Sequence, residues 1–262
     1  MAKIIAVTNQ KGGVGKTTTS VNLAASLGAN QHRVLLVDLD PQGNATMGSG
    51  VDKARLEKGS SYEMIMGNLH LSEVVVPLSE AGYALSPANG NLTAAEVELL
   101  DAKMREQRLR LALAQVRDKY DYILVDCPPS LNMLTVNALV AAHAALIPIQ
   151  CEYYALEGLS SLINTIEKIR TKLNPQLRIA GLLRTMFDPR NNLANEVSIQ
   201  LLTHFRDQVY TTIIPRNVRL AEAPSHGQPV LLYDRGSRGA LAYMALASEM
   251  ARREAAFPIK TP

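Results

Sequence analysis

The chain has no tryptophan, only three phenylalanines and only two cysteines in 262 residues. It also has no long apolar run. Each absence removes a class of protein. Two thiols, Cys127 and Cys151, are too few for a disulfide framework or a four-cysteine zinc site. The longest near-apolar stretch, residues 138–149, contains His143 and Pro148 and is roughly 12 residues long, whereas a spanning helix needs about 20. The opening MAKIIAVTNQ turns polar after a short apolar run, so it does not read as a secretory signal. A location in the reducing cytoplasm is expected. What is present, 47% hydrophobic and 19% charged residues, is the composition of a packed globular protein.

The formal charge of +3 hides an asymmetry. Residues 1–177 carry 16 Lys and Arg against 17 Asp and Glu, while residues 178–262 carry 11 against 7. Ten of those 11 basic residues are arginine. The excess of positive charge therefore sits in the last third of the chain.

Short apolar runs alternate with helical patterns from one end to the other. Seven runs read as strands: 3–8, 33–38, 83–86, 122–127, 144–150, 179–186 and 209–214. They are continuous Val/Ile/Leu runs, as expected of strands covered on both faces. Between them, apolar residues recur at three- and four-residue steps, most regularly through Leu156, Leu159, Leu162, Ile163, Ile166, Ile169 and Leu173. Helices are also expected over 109–120, 193–205 and about 240–254. This alternation, without a linker or repeat, predicts one doubly wound α/β domain spanning residues 1–262, with a mostly parallel sheet and helices on both faces. Residues 43–82 are the least regular, with a short helix expected near 62–66 and no clear strand.

The first strand runs into QKGGVGKTT, residues 10–18, and helical character follows over 20–27. A strand, a glycine-rich loop and a helix N-terminus together make an anion site. Loop N–H groups point inward, glycines allow close approach of phosphates, and the helix dipole favours negative charge. Nucleotide binding is thus expected along Lys11, Gly12, Gly13, Val14, Gly15, Lys16, Thr17 and Thr18. Lys16 should reach the β- and γ-phosphates, and the Thr17 hydroxyl should ligate Mg²⁺. Two departures from the G-x-x-x-x-G-K-[ST] pattern stand out: Gln10 replaces the first glycine, and a second lysine, Lys11, follows it. Past the strand ending ILVD, Asp126 takes the position of a Walker B carboxylate that holds the metal or its water. Asp38 ends the second strand run, with Asp40 two residues on, where ligands bind in open α/β sheets.

KGGVGKTT, LLVDLDPQGNAT (35–46) and YILVDCPPS (122–130) resemble the deviant Walker A ATPases. Within that group CEYYALEGL (151–159), IPRNVRLAEAPSHG (214–227) and YDRGSRGA (233–240) are similar to the ParA/Soj chromosome-partitioning ATPases, so the resemblance covers essentially the whole chain. It implies a Mg²⁺-dependent ATPase that forms an ATP-sandwiched homodimer. It implies that Asp40 positions the attacking water, that Asp38 is a switch residue and further metal-site candidate beside it, and that Lys11 crosses to the partner's nucleotide. Pro215 and Asn217 are implied to line the adenine. The implied partners are non-specific double-stranded DNA and a ParB-type centromere-binding protein that stimulates hydrolysis and releases the dimer, with a cytoplasmic, nucleoid-associated location.

Between Arg184 and Arg238 every basic residue is arginine. Arg190, Arg216, Arg219, Arg235 and Arg238 lie in turn or loop contexts, where they can form a phosphate-contacting surface with little sequence preference. The resemblance implies that Arg190, Arg216 and Arg219 fall in regions used for DNA. No helix-turn-helix precedes the first strand, so operator binding is not expected. Two rival switches share this phosphate loop. An electron-transfer ATPase of the nitrogenase iron-protein kind needs paired interfacial cysteines for an iron–sulfur cluster, and Cys127 and Cys151 read as buried structural thiols. A membrane-cycling MinD-like ATPase needs an amphipathic C-terminal helix, whereas MARREAAFPIKTP offers one Phe257 and a helix-stopping Pro258; a relative that positions another cargo assembly with the same residues stays the alternative. No stable membrane association is expected.

Overall fold

In the computed structural model, which describes residues 2–256, seven segments pair as strands. They are β1 (Lys3–Val7), β2 (Val34–Asp38), β3 (Val76–Leu78), β4 (Tyr83–Ser86), β5 (Tyr122–Asp126), β6 (Ala144–Gln150) and β7 (Arg178–Thr185). They form one sheet in the order β3-β4-β2-β5-β1-β6-β7, parallel throughout except for the antiparallel β3 at one edge. Alternate strand residues feed two separate cores, because successive side chains point to opposite faces. Ile4, Ala6, Leu35, Val37, Ile123 and Val125 face one core, which the helices Arg108–Ala114, Met133–Ala141, Ala155–Lys172 and Asn192–Phe205 close. Ile5, Val7, Val34, Leu36 and Leu124 face the other, closed by the helices Lys16–Ala29 and Arg238–Ala256. The doubly wound α/β architecture expected from the sequence is the one observed.

The helix Ala155–Lys172 buries Ala155, Leu159, Leu162, Ile166 and Ile169 on one stripe, and Arg170 and Lys172 sit in its last turn, where they complement the helix dipole. Met133–Ala141 is different. It is buried almost all round, so its sequence carries no amphipathic period, and part of it lay inside the apolar stretch that ends in β6. The helix expected over 109–120 ends earlier, at Ala114.

Two strand expectations require correction. β3 lies inside 43–82, where no strand was expected; it is three residues long and carries Pro77, which edge strands tolerate. Val209–Ile214, expected as a strand, makes only isolated bridges, Leu182 to Val209 and Phe187 to Pro215 just beyond it. The cause is a side chain. The Glu249 carboxylate accepts the N–H groups of Thr211 and Thr212, each at 2.8 Å, and so interrupts the ladder between the bonds from Tyr210 to Leu182 and from Ile214 to Arg184.

The helix Lys16–Ala29 meets the turn before β4 backbone to backbone. A Cβ built on Gly28 would lie 2.2 Å from the Gly82 carbonyl oxygen, an impossible contact with main chain. Gly28→Ala should therefore force the helix off the sheet edge and destabilise the fold by about 1–3 kcal/mol. A chemical-denaturation midpoint indistinguishable from wild type would refute that packing argument.

Candidate nucleotide site

β1 delivers the chain to the centre of the sheet's C-terminal edge, and Asn9 then turns it. Its Nδ2 donates to the Pro148 carbonyl at 2.8 Å, and its Oδ1 accepts the Lys11 N–H at 3.0 Å. Gly13 and Gly15 adopt φ of +74° and +86°, conformations that a side chain would strain. Gly15 stands at the start of the helix Lys16–Ala29, whose first turn no side chain caps. Its first N–H groups and the positive end of its dipole therefore belong to the loop. Thr185, at the end of β7, pins the loop from the side by donating to the Val14 carbonyl at 2.8 Å.

Lys16 is buried, and its Nζ donates to the Lys11 carbonyl at 3.0 Å across the loop. Burial lowers its pKa, opposed chiefly by the field of Asp126. Asp126 ends β5 and pairs in register with Asp38 at the end of β2. It accepts hydrogen bonds from the Thr17 hydroxyl at 2.8 Å and the Ser20 hydroxyl at 2.7 Å. Asp38 accepts from both the N–H and the hydroxyl of Thr46, at 2.8 and 2.7 Å, and from the Asp40 N–H at 3.1 Å. Both in-register carboxyls are fully enclosed and pushed up, first by burial. The charge of Asp38 adds to the shift on Asp126, and that of Asp40 to the shift on Asp38. Asp40 is buried and accepts the Gln42 N–H at 2.9 Å, which fixes its carboxylate at the cavity wall.

A cavity of about 490 Å³ opens over this cluster. Gly12, Gly13, Gly15, Lys16, Thr17 and Thr18 line it, together with Asp40 and with Pro215, Arg216 and Asn217. Asn217 also caps the helix Val218–Glu222, where its Oδ1 accepts the Leu220 N–H. Tyr243 and Met186 complete the wall, Met186 at a φ of +48°. Most of the expected loop residues, with Asp40, Pro215 and Asn217, thus converge on one cavity. Three expected residues and the Walker B candidate do not line it: Lys11 turns to Glu152, Val14 is buried, and Asp38 and Asp126 are fully enclosed.

Four residues that matter to the site were not foreseen. Ser20 lies three residues after Thr17, one helical turn on, so the spacing could have suggested it as Asp126's second donor. Thr46, Thr185 and Glu152 are brought in by tertiary packing, and nothing in the local sequence marks them. Glu152 meets Lys11, next to the lining residue Gly12, Nζ to Oε2 at 2.5 Å, with both side chains substantially exposed.

The arginines divide. Arg184 is buried within β7 and lies outside any surface. Arg190, Arg216, Arg219, Arg235 and Arg238 are all exposed. Arg190 pairs with Asp188 at 2.7 Å, and that carboxyl is held down to about 2, mainly by hydrogen bonding to Arg190 with a smaller share from Arg216. Two of the expected loop arginines are helical: Arg238 opens the helix Arg238–Ala256, and Arg219, within Val218–Glu222, bridges Glu222 and Asp234 at 2.8 and 3.2 Å, beside the turn holding Arg235. Arg216 lines the nucleotide cavity itself.

Cys127 and Cys151 are buried and free, with their thiols pushed up mainly by burial, Cys151 to about 11. Among the described residues no cluster of three or more His, Cys, Asp or Glu could by itself hold a metal ion, and no helix is long and apolar enough to cross a membrane. Phe257 and Pro258, on which the amphipathic-tail expectation turned, lie outside the described residues.

The AAA domain family model matches residues 2–179. The fold and the glycine-rich loop thus define a P-loop ATPase of that class. The chain is 53% identical over 251 residues to the sporulation initiation inhibitor protein Soj of Bacillus subtilis, covering 96% of this chain and 99% of that one. It is 50% identical over 254 residues to the chromosome partitioning protein ParA of Myxococcus xanthus, covering 97% and 89%. It belongs to the ParA/Soj family. Among solved structures, cobyrinic acid a,c-diamide synthase of Mycobacterium smegmatis with bound ADP and magnesium superposes with a TM-score of 0.86 at 36% identity, covering all of both chains. The cell division ATPase MinD of Pyrococcus furiosus shares the fold, with a TM-score of 0.79 at 24% identity, covering 97% of this chain and all of that one.

The thiol environments yield a simple expectation. Neither Cys127 nor Cys151 should react with a disulfide reagent in the native protein, and both should react after denaturation. Fast labelling of either in the folded chain would contradict their burial.

Proposed function

We propose that this chain is the ATP-hydrolysing switch of a chromosome-partitioning system, with an ATP-bound sandwich dimer that binds DNA non-specifically and a ParB-type partner that triggers its release. The observation that carries this reading is the convergence of Lys16, Thr17 and Asp40 on one cavity, with the buried Asp126 holding the Thr17 hydroxyl behind its wall and Lys11 next in sequence to the lining residue Gly12. Family membership supports the cellular role.

The site fits MgATP. The loop offers N–H groups at an uncapped helix start, and Lys16 is a buried cation whose hydrogen bond in the described structure goes to a backbone carbonyl. Thr17 and Asp126 offer one hydroxyl and one carboxylate, the sparse set that magnesium takes when phosphates supply its remaining ligands. ATP would supply the phosphoryl group, and magnesium would neutralise its oxygens. Lys16 would offset charge on the β- and γ-phosphates, and Asp126, kept oriented by Ser20, would hold the metal or its water. Asp40, fixed by the Gln42 N–H, orients water for attack on phosphorus; the bond to the β-phosphate oxygen breaks, and ADP and phosphate leave. Asp38 acts through Thr46 and the Asp40 N–H as a positioning residue. Pro215 and Asn217 pack the base. Lys11, in this reading, leaves Glu152 and enters the partner's site, where a cation supplied in trans is worth about 10³–10⁵ in rate.

The DNA surface is assigned to Arg190, Arg216, Arg219, Arg235 and Arg238. Shared acidic neighbours support a single arc: Asp188 feels both Arg190 and Arg216, and Arg219 reaches Asp234 beside Arg235. These ion pairs are exposed and therefore weak, so exchanging them for DNA phosphates costs little. The arc begins at the cavity wall, which brings the nucleotide and the DNA surface onto one continuous stretch of chain.

Lys11→Ala should lose ATP-dependent dimerisation and turnover, whereas Asp40→Ala should retain the dimer and lose turnover. Sedimentation with ATP separates the two, and a normal Lys11→Ala dimer would remove the trans-lysine assignment. Binding to random duplex should be strong with ATP or a slow-hydrolysing analogue and weak with ADP or no nucleotide. It should fall several-fold when ionic strength doubles. Unchanged duplex binding by both Arg190→Glu and Arg219→Glu would move the DNA surface elsewhere. Recruitment to anionic liposomes instead would favour the membrane-cycling alternative.

A further inference from the structure

A second cavity, of about 840 Å³, opens at the β7 edge of the sheet and shares no lining residue with the nucleotide cavity. Four guanidinium groups line it, from Arg178, Arg184, Arg206 and Arg253. Two carboxylates, Asp207 and Glu254, also reach its wall. Glu254 is already engaged by the Lys3 ammonium and the Tyr122 hydroxyl, and Arg253 is paired with Glu249 at 2.8 Å and lies over the Tyr210 ring at 4.4 Å. Among the described residues the lining thus carries four arginines against two carboxylates.

Arg184 is the decisive side chain. It is only 6% exposed. Its Nη1 donates to the Ser198 hydroxyl at 2.9 Å and its Nη2 to the Tyr210 carbonyl at 3.1 Å, both neutral acceptors. Among the described residues no carboxylate lies within ion-pair distance of it, and its Nε has no hydrogen-bond partner. Burial accordingly lowers its pKa, a sign of how poorly the charge is compensated. A buried cation held by neutral groups costs several kcal/mol by general reckoning, and an anion in the adjoining cavity offsets that cost. The planar fork of arginine suits phosphate oxygens. The remaining wall, from Leu202, Val209, Met250 and the Tyr210 ring, is apolar and could cover an organic body attached to the phosphate.

We propose that this cavity is a binding site for a small phosphorylated molecule, distinct from the ATP site. A duplex backbone is too broad to bring a phosphate to a guanidinium this deeply set. An occupant would also lean on the nucleotide site through covalent neighbours. The Arg184 carbonyl accepts the Ile214 N–H, and both Thr185 and Ile214 line the nucleotide cavity. The helix Arg238–Ala256 likewise contributes Tyr243 to one cavity and Met250 and Arg253 to the other.

The test is calorimetric titration of inorganic pyrophosphate into the full chain already saturated with ADP and magnesium, so that the phosphate loop is filled. One further saturable site per chain is expected. Arg206→Ala removes an exposed guanidinium and should weaken this site about tenfold, the effect of losing a charge-assisted hydrogen bond. Leu202→Glu, at the mouth, should abolish it, and both variants should keep the wild-type ADP affinity and unfolding midpoint. No saturable binding to the ADP-loaded wild type, or binding that neither variant alters, would overturn the proposal. So would an Arg206→Ala chain that loses duplex binding with no pyrophosphate site in the wild type, which would assign these arginines to DNA.

Discussion

The hydrogen bonds from Thr17 and Ser20 to Asp126 are the joint on which the molecule turns. They tie the first turns of one helix to the end of a central strand, and they hold a carboxylate that burial and its in-register neighbour Asp38 would otherwise discharge. Parallel register puts two acidic residues side by side at the same end of the sheet. Without donors and a cation, that arrangement repels itself. Lys16 above and Thr46 behind make it tolerable, and the resulting balance of charges is what a polyanionic ligand with its metal would complete.

Much of this was legible from residues alone because local chemistry dictated it. Glycines at positive φ, a lysine and a hydroxyl at a helix start, and aspartates ending apolar runs are short-range signals that tertiary context cannot easily override. Six of the seven expected strands form for the same reason. The failures share one cause, the action of groups distant in sequence. Glu249 interrupts the expected 209–214 strand from the last helix, and Met133–Ala141 is too thoroughly buried to show an amphipathic period. Glu152, Thr185 and Thr46 enter the site only once the sheet is assembled. Among the arginines the sequence could locate positive charge but could not separate Arg184, which faces inward, from Arg190, which faces water.

The last long helix deserves weight in any account of coupling. Tyr243 reaches the nucleotide cavity and hydrogen-bonds Thr19, Glu249 organises the 211–212 backbone, and Glu254 anchors Lys3 at the start of β1. One rigid element therefore touches the phosphate-loop helix, the strand that leads into the loop, and the segment that runs on to the cavity wall at Ile214–Asn217. Displacement of any one of these is felt by the other two through a single body rather than through a chain of small contacts.

The two edges of the sheet have a further consequence. On one side β3 ends the sheet with three residues and a proline; on the other, β7 is partly covered by the bridged 209–215 segment. Among the described residues, neither flank offers a long unpaired strand for another chain to extend. In the proposed dimer, copies would therefore meet through loops and helix faces, where contacts can form and separate without rebuilding backbone ladders. Assemblies made that way can be dissolved as fast as the contacts that hold them.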